Sequence, residues 1–152
     1  MAASRRALVV DDIPANRLIA QAMLEQLGWS VQTASDGREA LDALAATHFD
    51  LVLLDISMPG MSGIEVCQHI RADAAIADVP VIAYTVHAHI EDRRNFIASG
   101  FDEVLIKPLK RDTLASAVAI VLLVVVAVAT AVGNRFAGPS AVASVTGREA
   151  ST

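Results

Sequence analysis

Four short apolar runs in this chain each lead into a polar residue able to do chemistry. Asp11-Asp12 follows Ala7 to Val10, Asp55 follows Leu51 to Leu54, Thr85 comes after Val81 to Ala83, and Lys107-Pro108 follows Val104 to Ile106. In an open parallel α/β sheet the ligand crevice lies outside the carboxyl ends of the strands, so such residues converge there however far apart they are in sequence. Three carboxylates, a hydroxyl and an ammonium would then share one site. At an effective dielectric of about 20, two unit charges about 4 Å apart repel by roughly 4 kcal/mol, so the carboxylates need cations among them. Mg²⁺ suits such a set, since it takes oxygen ligands from one or two carboxylates and completes its octahedron with water and phosphate oxygens. The chemistry to expect is that of carboxylates, a divalent metal and a phosphoryl group.

The segments between these runs must be able to place them. Pro14 opens a helix through Leu27, with Leu18, Ile19, Met23 and Leu27 near helical spacing and Gly28 at its end. Val31 marks a short strand, Asp36-Gly37 a turn, and Glu39 to Thr47 a helix with Ala40, Leu41 and Leu44 inward. Leu51 to Leu54 is so uniformly apolar that it predicts a central strand covered on both faces. After a loop through Pro59-Gly60 and Gly63 comes a helix carrying Ile64, Val66, Cys67 and Ile70. Val79-Pro80 introduces the fourth strand, Ile90 to Ser99 reads as a helix stopped by Gly100, and Val104 to Ile106 is the fifth strand. Strand and helix in regular alternation predict an α/β fold with a doubly wound five-stranded parallel sheet.

Composition narrows the function classes. The 152 residues suit one domain with a real core. A net charge of -5 offers no basic footprint, which disfavours direct nucleic-acid binding. Cys67 is the single cysteine and falls at an apolar helix position, so a buried thiol is expected rather than a redox centre. The two arginines near the start are followed by only a short apolar run, which does not read as a secretory signal and suggests a cytoplasmic protein. His48, His69, His87 and His89 show no metal-ligand grouping.

Taken together, Val-Val-Asp-Asp at 9-12, Leu-Leu-Asp-Ile-Ser-Met-Pro-Gly-Met-Ser-Gly-Ile-Glu at 53-65, Ala-Tyr-Thr at 83-85 and Lys-Pro at 107-108 resemble the receiver domain of two-component response regulators. The segment from Tyr84 to Pro108 is especially similar to receivers associated with hybrid histidine kinases. The resemblance implies a flavodoxin-like receiver fold over residues 1–121 and a role for each site residue. Asp55 would be the nucleophile that takes a phosphoryl group from a phosphohistidine on a histidine kinase or histidine phosphotransfer protein. Asp12 would hold Mg²⁺ directly, Asp11 largely through water, and Asp55 and the carbonyl of Ser57 would complete the protein ligands. Lys107, usually joined to Pro108 by a cis peptide in this family, would act as a point charge on the phosphoryl oxygens, and Thr85 would donate its hydroxyl to them. Such transfer rests on positioning and electrostatics, so the chain would be a phosphoacceptor that signals to a downstream protein target, not a turnover enzyme.

Each residue also has a plainer reading: Asp11 or Asp12 as a cap for the helix after Pro14, Asp55 as the end of a strand, Thr85 as a strand residue, Lys107 as a solvated charge. Met58 and Met61 read as loop packing and Gly63 as backbone geometry. Two positions depart from the family pattern. Val86 follows the threonine where receivers usually carry alanine or glycine, and Val104 stands where many carry tyrosine or phenylalanine. These departures support a rival reading as a phosphorylation-independent interaction scaffold, while Ser57 stands where an aspartyl phosphatase would favour an acid.

The C-terminal segment departs further. Leu114 to Val132 is nearly unbroken in its apolarity, and as a helix it would reach about 28 Å, close to the roughly 30 Å of a bilayer core. The same residues are also needed to pack a last helix on the sheet. Residues 122–137 therefore read as an atypical apolar extension, open to membrane association or self-association, and residues 138–152 as a loose, small and polar tail.

Overall fold

The computed structural model describes residues 4–86 and 89–136. Five strands, β1 (Arg6–Val10), β2 (Ser30–Ala34), β3 (Leu51–Asp55), β4 (Val81–Thr85) and β5 (Glu103–Ile106), alternate with five helices, α1 (Pro14–Gln26), α2 (Gly37–Ala46), α3 (Gly63–Ala72), α4 (Ile90–Ala98) and α5 (Arg111–Phe136). All strands pair in parallel, in the order β2-β1-β3-β4-β5. The order reverses direction between β1 and β3, so their carboxyl ends flank the crevice of the sheet.

The two-residue period of a strand divides the core into two layers. Leu8, Val10, Val52, Leu54, Val81 and Ala83 face one side, where α2, α3 and Phe96 of α4 cover them. Ala7, Val9, Leu51, Leu53, Ile82 and Tyr84 face the other, against α1 and α5. Every residue of β3 and β4 is buried, as the uniformly apolar sequence of β3 predicted for a strand covered on both faces. Met58 is buried and Met61 packs beside it on the first of these layers.

Local signals explain the helix starts. Asp36 accepts a hydrogen bond from the Glu39 amide at 2.8 Å to cap α2. Ser62 and Glu65 cap α3 reciprocally: the Glu65 amide donates to Ser62 Oγ at 3.3 Å, and the Ser62 amide to Glu65 Oε2 at 3.1 Å. Gly28 and Gly100 follow α1 and α4 with φ of 91° and 108°, the left-handed geometry that ends a helix. At the amino ends of the strands, Arg71 donates to the carbonyls of Gly100, Ala77 and Val79 and pairs with Asp102 at 2.9 Å. One guanidinium thereby ties the end of α3 to the segments entering β4 and β5.

Two expectations need adjustment. In α1 the buried residues are Ala20 and Leu24, while Leu18 and Ile19 are exposed; small Ala20 lets the helix lie close to the sheet, and the larger side chains point outward. In α5, Leu114, Ala117, Val118 and Val121 are buried against the sheet. The apolar remainder, residues 122–132, spans about 16 Å, roughly half a bilayer core. Among the described residues no helix is long and apolar enough to cross a membrane, so the expected membrane association gains no support from the fold. Ile120 and Leu123 to Val126 are exposed along the continuing helix. The tail predicted at 138–152 lies outside the described residues, as does His87.

Candidate functional site

Asp11 lies one residue beyond β1, Asp55 closes β3, Thr85 closes β4, and Lys107 follows β5. The parallel sheet brings all four ends to one edge. Carboxylate oxygens of Asp11, Asp12 and Asp55 lie within 4.8 Å of one another, the one group among the described residues with the makings of a metal site. Asp11 and Asp55 are buried, at 0% and 2% exposure, whereas Asp12 is half-buried. Lys107 Nζ sits between the two buried acids, 3.0 Å from Asp11 Oδ2 and 3.3 Å from Asp55 Oδ1. It is therefore no solvated surface charge. The Lys107–Pro108 peptide is cis, as the resemblance implied.

Each acid is held from several directions. The Ile13 amide donates to Asp11 Oδ1 at 2.9 Å, and Arg17 donates to the Asp11 carbonyl at 2.7 Å. Ile13, not Asp11 or Asp12, is the N-cap of α1, and no side chain caps that helix, so capping does not account for the aspartate pair. The Ser57 amide donates to Asp55 Oδ1 at 3.2 Å, which turns the loop after β3 back over the strand end and leaves Ser57 exposed beside the acids. Thr85 is buried at the neighbouring strand end, and Val86 beside it is exposed. Val104 is buried in the layer under α2 to α4.

Burial and charge push the two acids in opposite directions. Asp55 is raised above the ordinary carboxylate value, first by burial and then by the negative charge of Asp11; Lys107 and the Ser57 amide only partly offset this. For Asp11, burial is the largest influence and acts upward, yet the combined hydrogen bonds from Tyr84, the Ile13 amide and Lys107 outweigh it and hold the group below its ordinary value. Three carboxylates against one ammonium leave an excess of negative charge in a largely buried corner. Hard oxygen donors with uncompensated charge fit a small divalent cation.

Tyr84 is the site residue that sequence reasoning missed. Its hydroxyl donates to Asp11 Oδ2 at 2.5 Å, and the Lys107 ammonium lies 4.5 Å from the centre of its ring. A tyrosine inside an otherwise aliphatic strand was the available signal, because a buried hydroxyl requires a partner. The described histidines stay out of the site: His48 pairs with Asp50 at 3.3 Å, His69 is exposed on α3, and His89 stands at the start of α4.

Comparisons with known proteins agree with this geometry. Residues 7–119 match the response regulator receiver domain. The sensor protein GacS of Pseudomonas syringae is 40% identical over 116 residues, covering 74% of this chain and 13% of that much longer protein. A chemotaxis protein of Vibrio cholerae superposes with a TM-score of 0.74 at 31% identity, covering 78% of this chain and 99% of the other. The receiver domain of a sensor histidine kinase from Pseudomonas aeruginosa, solved with a magnesium ion coordinated in its active-site cleft, gives a TM-score of 0.69 at 34% identity, covering 75% of this chain and 93% of the other. The match runs through every strand that contributes to the acidic corner, and on that basis this chain belongs to the response regulator receiver domain family.

Proposed function

We propose that this chain is a phosphoacceptor in a two-component phosphorelay, taking a phosphoryl group from a phosphohistidine donor onto Asp55. The observation that carries the reading is the placement of the Lys107 ammonium between Asp11 and Asp55, at the edge of a three-carboxylate cluster. Asp11, Asp12, Asp55 and the Ser57 carbonyl would hold Mg²⁺, the ion present in the related receiver from Pseudomonas aeruginosa. Bound there, the ion would neutralise carboxylate charge and stabilise the charge on the phosphoryl oxygens.

The remaining chemistry belongs to the chain. An Asp55 carboxylate oxygen forms a bond to phosphorus as the bond from phosphorus to the donor imidazole nitrogen breaks, and the imidazole keeps the electron pair. Lys107 is within reach to exchange part of its contact with the acids for the phosphoryl oxygens, and Thr85 lies at the adjacent strand end to donate its hydroxyl. No side chain needs to shuttle a proton, so positioning and charge suffice. The donor would be a histidine kinase or a histidine phosphotransfer protein, consistent with similarity to the receiver part of GacS. Signalling would follow from altered binding to a downstream protein, without turnover of a substrate.

Incubation with a labelled phosphohistidine protein and Mg²⁺ tests this reading. Label should pass to the wild-type chain and not to Asp55→Asn. An unlabelled wild-type chain that nevertheless binds its partner would instead favour the phosphorylation-independent scaffold.

A further inference from the structure

Asp11 has two carboxylate oxygens in a position without solvent access, and their partners differ in kind. Oδ1 accepts from the Ile13 amide, a fixed backbone donor, at 2.9 Å. Oδ2 accepts from two side chains, Tyr84 Oη at 2.5 Å and Lys107 Nζ at 3.0 Å. Lys107 is shared, since its ammonium also reaches Asp55 Oδ1 at 3.3 Å. Any rearrangement that turns Lys107 toward a phosphoryl group on Asp55 removes a donor from Asp11 Oδ2. The tyrosine hydroxyl is the donor that stays.

The backbone dictates this meeting. Asp11 continues the alternation of Ala7 and Val9, and Tyr84 that of Ile82, so both side chains lie toward the α1 and α5 layer. The two strands are not neighbours, because β3 runs between them. They are about 9.6 Å apart at a strand spacing of about 4.8 Å, a gap that a tyrosine and an aspartate together can bridge. Shorter side chains at position 84 would fill the core without reaching Asp11. The ring also has a use, for Lys107 Nζ lies over it at 4.5 Å, in contact with the π face. The other acceptor of the hydroxyl, the Val10 carbonyl, is at 3.5 Å, the limit of a hydrogen bond, so Asp11 is its principal partner.

We propose that Tyr84 is a positioning residue for phosphoryl transfer, fixing the Asp11 carboxylate toward the metal site and cradling Lys107 as it turns from Asp11 to the phosphoryl group. The role rests on the phosphoacceptor reading and adds to it a residue on β4 next to Thr85. Groups that orient a metal ligand from behind influence metal affinity strongly when removed.

The test uses the full chain with Tyr84→Phe, which keeps the ring and deletes only the hydroxyl. Mg²⁺ affinity is measured by calorimetry, phosphorylation by a small acyl phosphate is followed at saturating Mg²⁺, and urea unfolding checks the fold. We expect Mg²⁺ binding to weaken by roughly tenfold, the usual scale for losing an outer partner of a metal ligand. The saturated phosphorylation rate should also fall, with the half-saturating donor concentration unchanged. In an Asp11→Ala background the same Tyr84→Phe change should leave Mg²⁺ affinity unaltered, because the group it orients is gone. Equal or tighter Mg²⁺ binding by Tyr84→Phe, or a loss confined to urea stability, overturns the proposal. A wild-type chain that accepts no phosphoryl group sinks the phosphoacceptor reading instead, and the Mg²⁺ titrations then decide the role of Tyr84 by themselves.

Discussion

Gly63 lies so close to the end of β3 that a Cβ on it would meet the Asp55 carbonyl oxygen at 2.2 Å. The first turn of α3 is thus pressed against the backbone of Asp55 itself, and the Gly63 amide donates to the Ile56 carbonyl at 3.0 Å. The need is for space, since φ at Gly63 is not positive. A Gly63→Ala variant must move either α3 or the strand end. Overpacking of this kind costs about 1–3 kcal/mol. Urea unfolding should show that loss, and Asp55 should be phosphorylated more slowly; a variant as stable and as reactive as wild type would mean the strand end yields freely.

Val86 stands exposed beside buried Thr85, just beyond the end of β4. We predict that its two extra methyl groups narrow the path of the donor and of attacking water. Replacing it with alanine should accelerate both phosphotransfer and loss of the phosphoryl group severalfold. A Val86→Ala chain that is no faster in either reaction would remove Val86 from the account.

Cys67 is fully buried, and burial pushes its thiol from 9.0 up to about 11. Alkylating reagents at pH 8 should therefore leave it unmodified until the chain is unfolded. The same shift sets a pH dependence. Below about 9 the thiol is protonated in both states; between 9.0 and about 11 the unfolded chain releases the proton while the folded chain retains it. Stability from this group thus declines as pH rises through that window. Cys67→Ala should flatten the decline in unfolding free energy measured from pH 8.5 to 10.5, about 1.4 kcal/mol for each pH unit of differential ionisation at most. An identical slope in the variant would assign the alkaline loss elsewhere.

How far these features could be read in advance depends on whether they are local. Asp11, Asp55, Thr85 and Lys107 stood out because a parallel sheet covered on both faces writes continuous apolar runs, and the residue ending each run marks the edge of the sheet. The face of α1 was harder, since Leu18 and Ile19 carry more apolar surface than Ala20, yet close packing on the sheet selects the small residue. The contact from Tyr84 to Asp11 passes over an intervening strand, and no local pattern encodes that distance. The C-terminal run was ambiguous for another reason: the same valines and leucines satisfy a sheet or a bilayer. Only the burial of Leu114, Ala117, Val118 and Val121 commits the first turns of α5 to the sheet.

Intact-mass spectrometry after exposure to a small acyl phosphate tests most directly whether Asp55 is a metal-dependent phosphoryl acceptor. With Mg²⁺ the chain should gain the mass of a single phosphoryl group, mapped to Asp55, and the gain should vanish with a chelator or in Asp55→Asn. No added mass on the folded wild-type chain at saturating donor and Mg²⁺, or an equal gain by Asp55→Asn, would contradict it.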